Sequence, residues 1–143
     1  MCDRRDKRLL TTLVEVLLLV EDIASVVRDL SSLYGVNSVV VLNSEGEKIY
    51  SWHRTEADQR RFQLSGKDIK DTFDINKEFI RLAGGDQLRN VILRGRENIA
   101  VIEQSGSVIV FAFTDMRANL ALLLIRVRRV AENLAKRFGG ALI

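Results

Sequence analysis

The chain has no proline, one cysteine and one histidine among its 143 residues. Cys2 alone cannot form an internal disulfide, which is compatible with a reducing compartment. His53 has no second histidine or cysteine with which to build a metal site or a nucleophile–base pair. The sequence also lacks a GxxxxGK[ST] phosphate loop and a paired acid–base constellation. These absences argue against an enzyme, and we expect neither a metal nor a cofactor.

Charge and hydrophobic runs exclude two further classes of protein. The chain has 22 Lys and Arg residues against 19 Asp and Glu residues, which is only a small excess of positive charge. No segment gathers cations and aromatic residues on one face, so we expect no nucleic acid partner. The unbroken apolar run Val16–Val20 is far shorter than the ~20 residues that span a bilayer, and Glu15 precedes it directly. We therefore expect no direct membrane insertion and a soluble, cytoplasmic protein.

The N-terminal third predicts one long helix. From Lys7 to Tyr34 there is neither glycine nor proline, and apolar residues recur at alternating spacings of four and three. The members of this stripe are Leu9, Leu13, Val16, Val20, Ile23, Val27, Leu30 and Tyr34. Because a second apolar set widens the stripe in its first half, we expect that half to be covered by another surface. The expected organisation is an N-terminal extension at 1–20, continuous with the first helix of a domain at 21–138, and a tail at 139–143.

The rest of the chain predicts five strands and two more helices. The expected strands are Val36–Leu42, Glu47–His53, Gln87–Leu93, Asn98–Glu103 and Ser107–Thr114. Ser65 opens the middle helix with a capping box to Asp68, and Asp115 is expected to cap the last helix. Residues 54–64 are predicted to be an irregular connection. The fold class is therefore an α/β (α+β) sandwich with a five-stranded antiparallel sheet, in the order α-β-β-α-β-β-β-α with an extended N-terminal helix.

This order of elements resembles the roadblock family of dynein light chains and GTPase regulators, which has a longin-like fold. The strand that ends in Asp115, with Arg117-Ala118-Asn119-Leu120 after it, looks like the family's strand-to-helix junction. Gly35-Val36 to Gly46 looks like its first helix, strand and turn. The resemblance covers about residues 22–138, so the segment before Glu21 extends the usual first helix.

The resemblance implies a homodimer or heterodimer in which the third strands of two subunits pair and the middle helices lie side by side. Pairing also satisfies the backbone groups of an open strand edge. The interface residues that this implies are Phe73, Phe79, Ile80, Leu88, Val91 and Leu93.

The function that the resemblance implies is that of a non-catalytic homodimeric regulator or scaffold of a small Ras-like GTPase. The candidate partner-binding residues are Lys70, Lys77, Arg94, Arg96, Leu10, Val14 and Leu17. Arg94 and Arg96, at a hairpin tip, are the two candidates for an arginine finger. Two alternatives stay open: a structural adaptor that binds other proteins through the N-terminal helix, and a small-molecule sensor, for which no convergent polar set marks a pocket.

Overall fold

The computed structural model describes residues 4–139, with the backbone only at residues 4–7 and 9. The elements are α1 (Arg4–Ser31), β1 (Val36–Leu42), β2 (Lys48–His53), α2 (Glu56–Arg61), α3 (Gly66–Leu82), β3 (Asn90–Arg94), β4 (Asn98–Ser105), β5 (Val108–Asp115) and α4 (Leu120–Phe138). All strand pairs are antiparallel, and the five strands lie in the order β2-β1-β5-β4-β3. The predicted fold class is confirmed.

Both faces of the sheet are covered, as the unbroken apolar sequence of β5 predicts. Val108, Val110 and Ala112 pack with α1 and α4 in one core. Ile109 and Phe111 point the other way and pack with Ile69 and Phe73 of α3. Successive side chains of a strand alternate between its faces, so β5 contributes to both cores.

Only the second half of α1 belongs to the core. Ile23, Val27 and Leu30 are fully buried against the sheet and α4. Arg126 of α4 donates to the backbone carbonyl (2.7 Å) and the carboxylate (3.1 Å) of Asp29, which ties the two helices together. The helix runs through residues 20 and 21 without a break, so the boundary between extension and domain stays a prediction. Of the predicted tail, residues 140–143 lie outside the described residues, as does Cys2.

The predicted irregular connection contains a short helix that pattern reading missed. Thr55 caps α2, accepting from the backbone N–H of Asp58 at 3.1 Å. Glu56 lies in the first turn and Arg61 in the last, where each complements the helix dipole. Because α2 has no buried residue, it has no apolar periodicity to reveal it.

Two predicted boundaries are wrong. The last helix is capped by Asn119, whose side chain accepts from the backbone N–H of Leu122 at 3.0 Å. Asp115 instead ends β5 and accepts from the backbone N–H of Arg117 at 2.9 Å. The third strand begins at Asn90, three residues later than predicted. By contrast, the Ser65–Asp68 capping box is confirmed in both directions.

Within residues 4–139, no helix has the length and apolar character needed to cross a bilayer.

Candidate functional site

The third strand, β3, lies at one edge of the sheet. It pairs with β4 in the register Val91–Ile102 and Leu93–Ala100, and in the part of the chain described no strand pairs with its other side. Ile92 and Leu93 are exposed, at 40% and 50% of their surface. An exposed edge with apolar side chains is a ready template for another strand.

An apolar row on α3 lies beside this edge. Ile75, Phe79 and Leu82 are spaced by four and three residues, which places them on one side of the helix, and each is about 70% exposed (69%, 68% and 72%). Thr72, one turn before Ile75, lines a cavity of about 150 Å³ together with Leu93 of β3. The row therefore lies on the β3 side of α3. We call Ile75, Phe79, Leu82 and Leu93 the edge patch.

The predicted interface residues divide into three groups. Phe73 and Val91 are buried in the chain's own core and offer almost no surface to a partner. Ile80 and Leu88 are half-buried. Phe79 and Leu93 belong to the edge patch.

Sequence reasoning missed Ile75 and Leu82. The sequence signal for both residues is the helical spacing of Ile75, Phe79 and Leu82, which form a second apolar row beside the core row of Ile69 and Phe73.

The predicted cationic residues do not form one cluster. Lys70 is half-buried and pairs with Asp74 at 2.6 Å, and this hydrogen bond raises the pKa of Lys70. Lys77 lies on the flank of α3 away from the edge patch and lines a cavity with Leu88. Arg94 and Arg96 are exposed beside the β3 edge, and neither makes an ion pair with another described residue. Of the four predicted cationic residues, only Arg94 and Arg96 lie beside the β3 edge.

A second apolar surface lies on the first half of α1. Leu10, Val14 and Leu17, all predicted partner-binding residues, are 63%, 53% and 63% exposed. Leu13 and Leu18 beside them are also more than half exposed. Contact with the chain's own core begins at Leu19. The sequence predicts that another surface covers this half of α1, but no described part of the chain does so.

A buried carboxylate lies on the α4 side of the sheet, in β4. Glu103 is 3% exposed; one of its oxygens accepts from the Asn90 amide at 3.4 Å, and Oε2 has no hydrogen-bond partner among the described residues. Burial raises the pKa of Glu103. It borders a cavity of about 350 Å³ that Arg89 and Arg128 also line. Sequence reasoning assigned Glu103 no role, because this residue ends an otherwise apolar run.

The side chain of His53 contacts other residues of the same domain. Its Nδ1 is 2.7 Å from the hydroxyl oxygen of buried Ser38, and its ring packs against Phe62 at a centroid distance of 5.1 Å. Burial, with the nearby Lys48 charge, lowers the pKa of His53. Among residues 4–139, no group of three or more His, Cys, Asp or Glu side chains is placed to hold a metal ion.

The sheet order, with two helices on one face and α3 on the other, defines the class: the chain has the roadblock fold. It is similar to MglB from Myxococcus xanthus, with a TM-score of 0.67 and 18% identity over 85% of this chain and 90% of that one. It is similar to an MglB described as having a tetrameric arrangement, with a TM-score of 0.70 and 14% identity over 87% and 92%. It is also similar to the Roadblock/LC7 domain from Streptomyces avermitilis, with a TM-score of 0.61 and 12% identity over 76% and 89%.

No protein-family model and no curated protein sequence matches the chain. At identities of 12–18%, the structural likeness shows the fold alone. The fold that the resemblance implied is confirmed.

Proposed function

We propose that this chain is a non-catalytic regulator or scaffold of a small Ras-like GTPase, acting in the cytoplasm as a dimer built at the β3 edge. The single observation that carries the proposal is the unpaired edge of β3 with the edge patch beside it. The GTPase is the partner that the roadblock resemblance implies, and the roadblock fold supports that resemblance.

Pairing of two β3 edges would bury both the unpaired strand edge and the edge patch beside it. It satisfies backbone N–H and C=O groups that one copy leaves exposed. It also brings the two α3 helices together on one face of a joined sheet, where the edge patches bury each other. Because the same surface serves on both subunits, a two-fold homodimer is the simplest assembly.

Arg94 and Arg96 then lie at the rim of the joined sheet. Exposed cations without a fixed partner attract an acidic surface and raise the rate of encounter more than they raise affinity. We assign them to initial docking of the GTPase.

The test uses purified Ras-like GTPases of the source organism, each loaded with GDP or with a non-hydrolysable GTP analogue. We expect the wild-type chain to sediment as a dimer at micromolar concentration and to bind one GTPase in a nucleotide-dependent manner. Leu93→Lys should abolish the dimer and weaken this binding. The control Ile125→Lys changes an equally exposed residue (54%) on α4 and should do neither. A monomeric wild type, or no nucleotide-dependent binding in the panel, contradicts the proposal.

A structural adaptor remains the second candidate, because Leu10, Val14 and Leu17 are exposed on α1. In that case deletion of residues 1–20 would remove a partner that is not a GTPase while the dimer persists. Retention of every partner by the deleted chain contradicts the adaptor function.

A further inference from the structure

Four charged side chains from distant parts of the chain meet around one cavity on the α4 face of the sheet. Arg89 precedes β3, Glu103 lies in β4, and Arg128 and Glu132 are one turn apart on α4. All four line the cavity of about 350 Å³ beside Glu103, which we call the Glu103 pocket. This volume falls within the range of pockets that bind small molecules.

Glu103 occupies a position where the pattern of its strand favours an apolar residue. Ile99 and Val101 precede it on the same face of β4, and both are buried in the core against α1 and α4. Glu103 Oε2 accepts no hydrogen bond from the part of the chain that the structure describes. A buried carboxylate without its full set of donors destabilises a fold. A donor brought by a ligand would satisfy this oxygen.

The charges around the Glu103 pocket are of both signs, and only two of them neutralise each other directly. Arg128 donates to Glu132 at 2.9 Å. Glu103 and Arg89 have no ion-pair partner among residues 4–139. Burial raises the pKa of Glu103, and the charges of Arg128 and Arg89 act in the opposite direction, so both guanidinium groups lie near the carboxylate. The pocket therefore presents one unpaired anion and one unpaired cation close together.

We propose that the Glu103 pocket binds a small zwitterion of the α-amino acid class. The ammonium group of the ligand donates to Glu103, and its carboxylate accepts from Arg89. Glu103 is buried and Arg89 is exposed, so the ammonium lies at the base of the pocket and the carboxylate at its mouth. The ligand's side chain packs against Leu88 and Ala131, which are the apolar residues of the wall.

The two unpaired charges favour a zwitterion over a simple cation or anion. An amine without a carboxylate gains Glu103 but is repelled by Arg89. A carboxylic acid without an amine gains Arg89 but is repelled by Glu103. A zwitterion forms a charge-assisted hydrogen bond with each, and such bonds are about twice as strong as neutral ones.

This site is separate from the surfaces that we assign to the dimer and to the GTPase. The edge patch lies on the α3 face of the sheet, whereas the Glu103 pocket lies on the α4 face. The pocket supplies the convergent polar set that a small-molecule sensor needs and that the sequence does not reveal. Ligand binding thus goes beyond the proposed regulation of a GTPase, and it is tested without one.

The experiment titrates the ¹⁵N-labelled full-length chain at neutral pH with L-norvaline, butylamine or pentanoate, followed by NMR. Butylamine lacks the carboxylate of norvaline, and pentanoate lacks its ammonium group. We expect norvaline to cause saturable shifts of the backbone amides at 87–89, 103–105 and 128–132, and each matched compound to bind at least tenfold more weakly. Equal binding of butylamine, equal binding of pentanoate, or the absence of a saturable shift with norvaline would each overturn the proposal.

Two variants assign the groups of the ligand. Glu103→Gln keeps the shape of the side chain and should bind norvaline no better than pentanoate. Arg89→Gln changes an exposed residue and should bind norvaline no better than butylamine. The controls Arg61→Gln and Glu97→Gln remove exposed charges outside the pocket and should bind norvaline as the wild type does. If either pocket variant keeps the wild-type preference for norvaline, the assignment of both charges is wrong.

Discussion

Replacing Phe79 by serine tests the edge patch most directly. The side chain is 68% exposed, and a fully buried aromatic residue covers about 200 Å². About 136 Å² per copy is therefore available, worth about 3.4 kcal/mol at ~25 cal/mol per Å². Association costs offset part of this gain, so we take half, or about 1.7 kcal/mol for each copy. Loss from both copies weakens the dimer by about 3.4 kcal/mol, or roughly 300-fold in Kd.

The assay is sedimentation equilibrium over a range of concentrations, with thermal unfolding as the check on folding. Ile125→Ser is the matched control, because Ile125 is also an exposed apolar residue (54%) but lies on α4. Its dimer constant should match that of the wild type. If Phe79→Ser dimerises as tightly as Ile125→Ser, Phe79 lies outside the interface and the assignment of the edge patch is wrong.

Three other variants test individual contacts. Gly66→Ala should lower the free energy of unfolding by about 2 kcal/mol in a urea titration, because the added Cβ would lie 2.0 Å from the Gly46 carbonyl oxygen; unchanged stability would contradict that close approach. Burial raises the pKa of Glu103, so the folded chain loses stability as pH rises through that pKa. Glu103→Gln should therefore add about 1 kcal/mol at neutral pH, and a gain that persists below the usual glutamate pKa would refute this cause. Arg94→Ala with Arg96→Ala should slow GTPase association at low salt and leave GTP hydrolysis unchanged, whereas a fall in hydrolysis of about a thousandfold would identify an arginine finger.

The elements that the sequence predicted well are those with a buried face. Ile23, Val27 and Leu30 repeat at helical spacing because they meet the sheet, and residues 108–113 of β5 are all apolar because the strand is covered on both sides. The short helix α2 was missed for the converse reason, since none of its residues is buried. Asp115 was chosen over Asn119 as a helix cap because both are good capping residues and only the backbone path distinguishes them.

The candidate surfaces were predicted in part. Phe79 and Leu93 were singled out and are exposed beside the strand edge, but Phe73 and Val91 face the chain's own core. A helical stripe shows that residues share a side, and it does not show which of two neighbouring stripes meets the sheet. That choice depends on how α3 crosses the strands.

The sequence by itself determined the type and order of nearly all the elements, because period and turn chemistry are local properties of the chain. It also determined that α1 is apolar beyond what one domain buries. Within residues 4–139, the tertiary structure decided that β3 has an open edge, that Ile75 and Leu82 join Phe79 beside it, and that Glu103 is buried with an unpaired oxygen. These features depend on which strands pair and which faces meet, and those contacts join residues far apart along the chain.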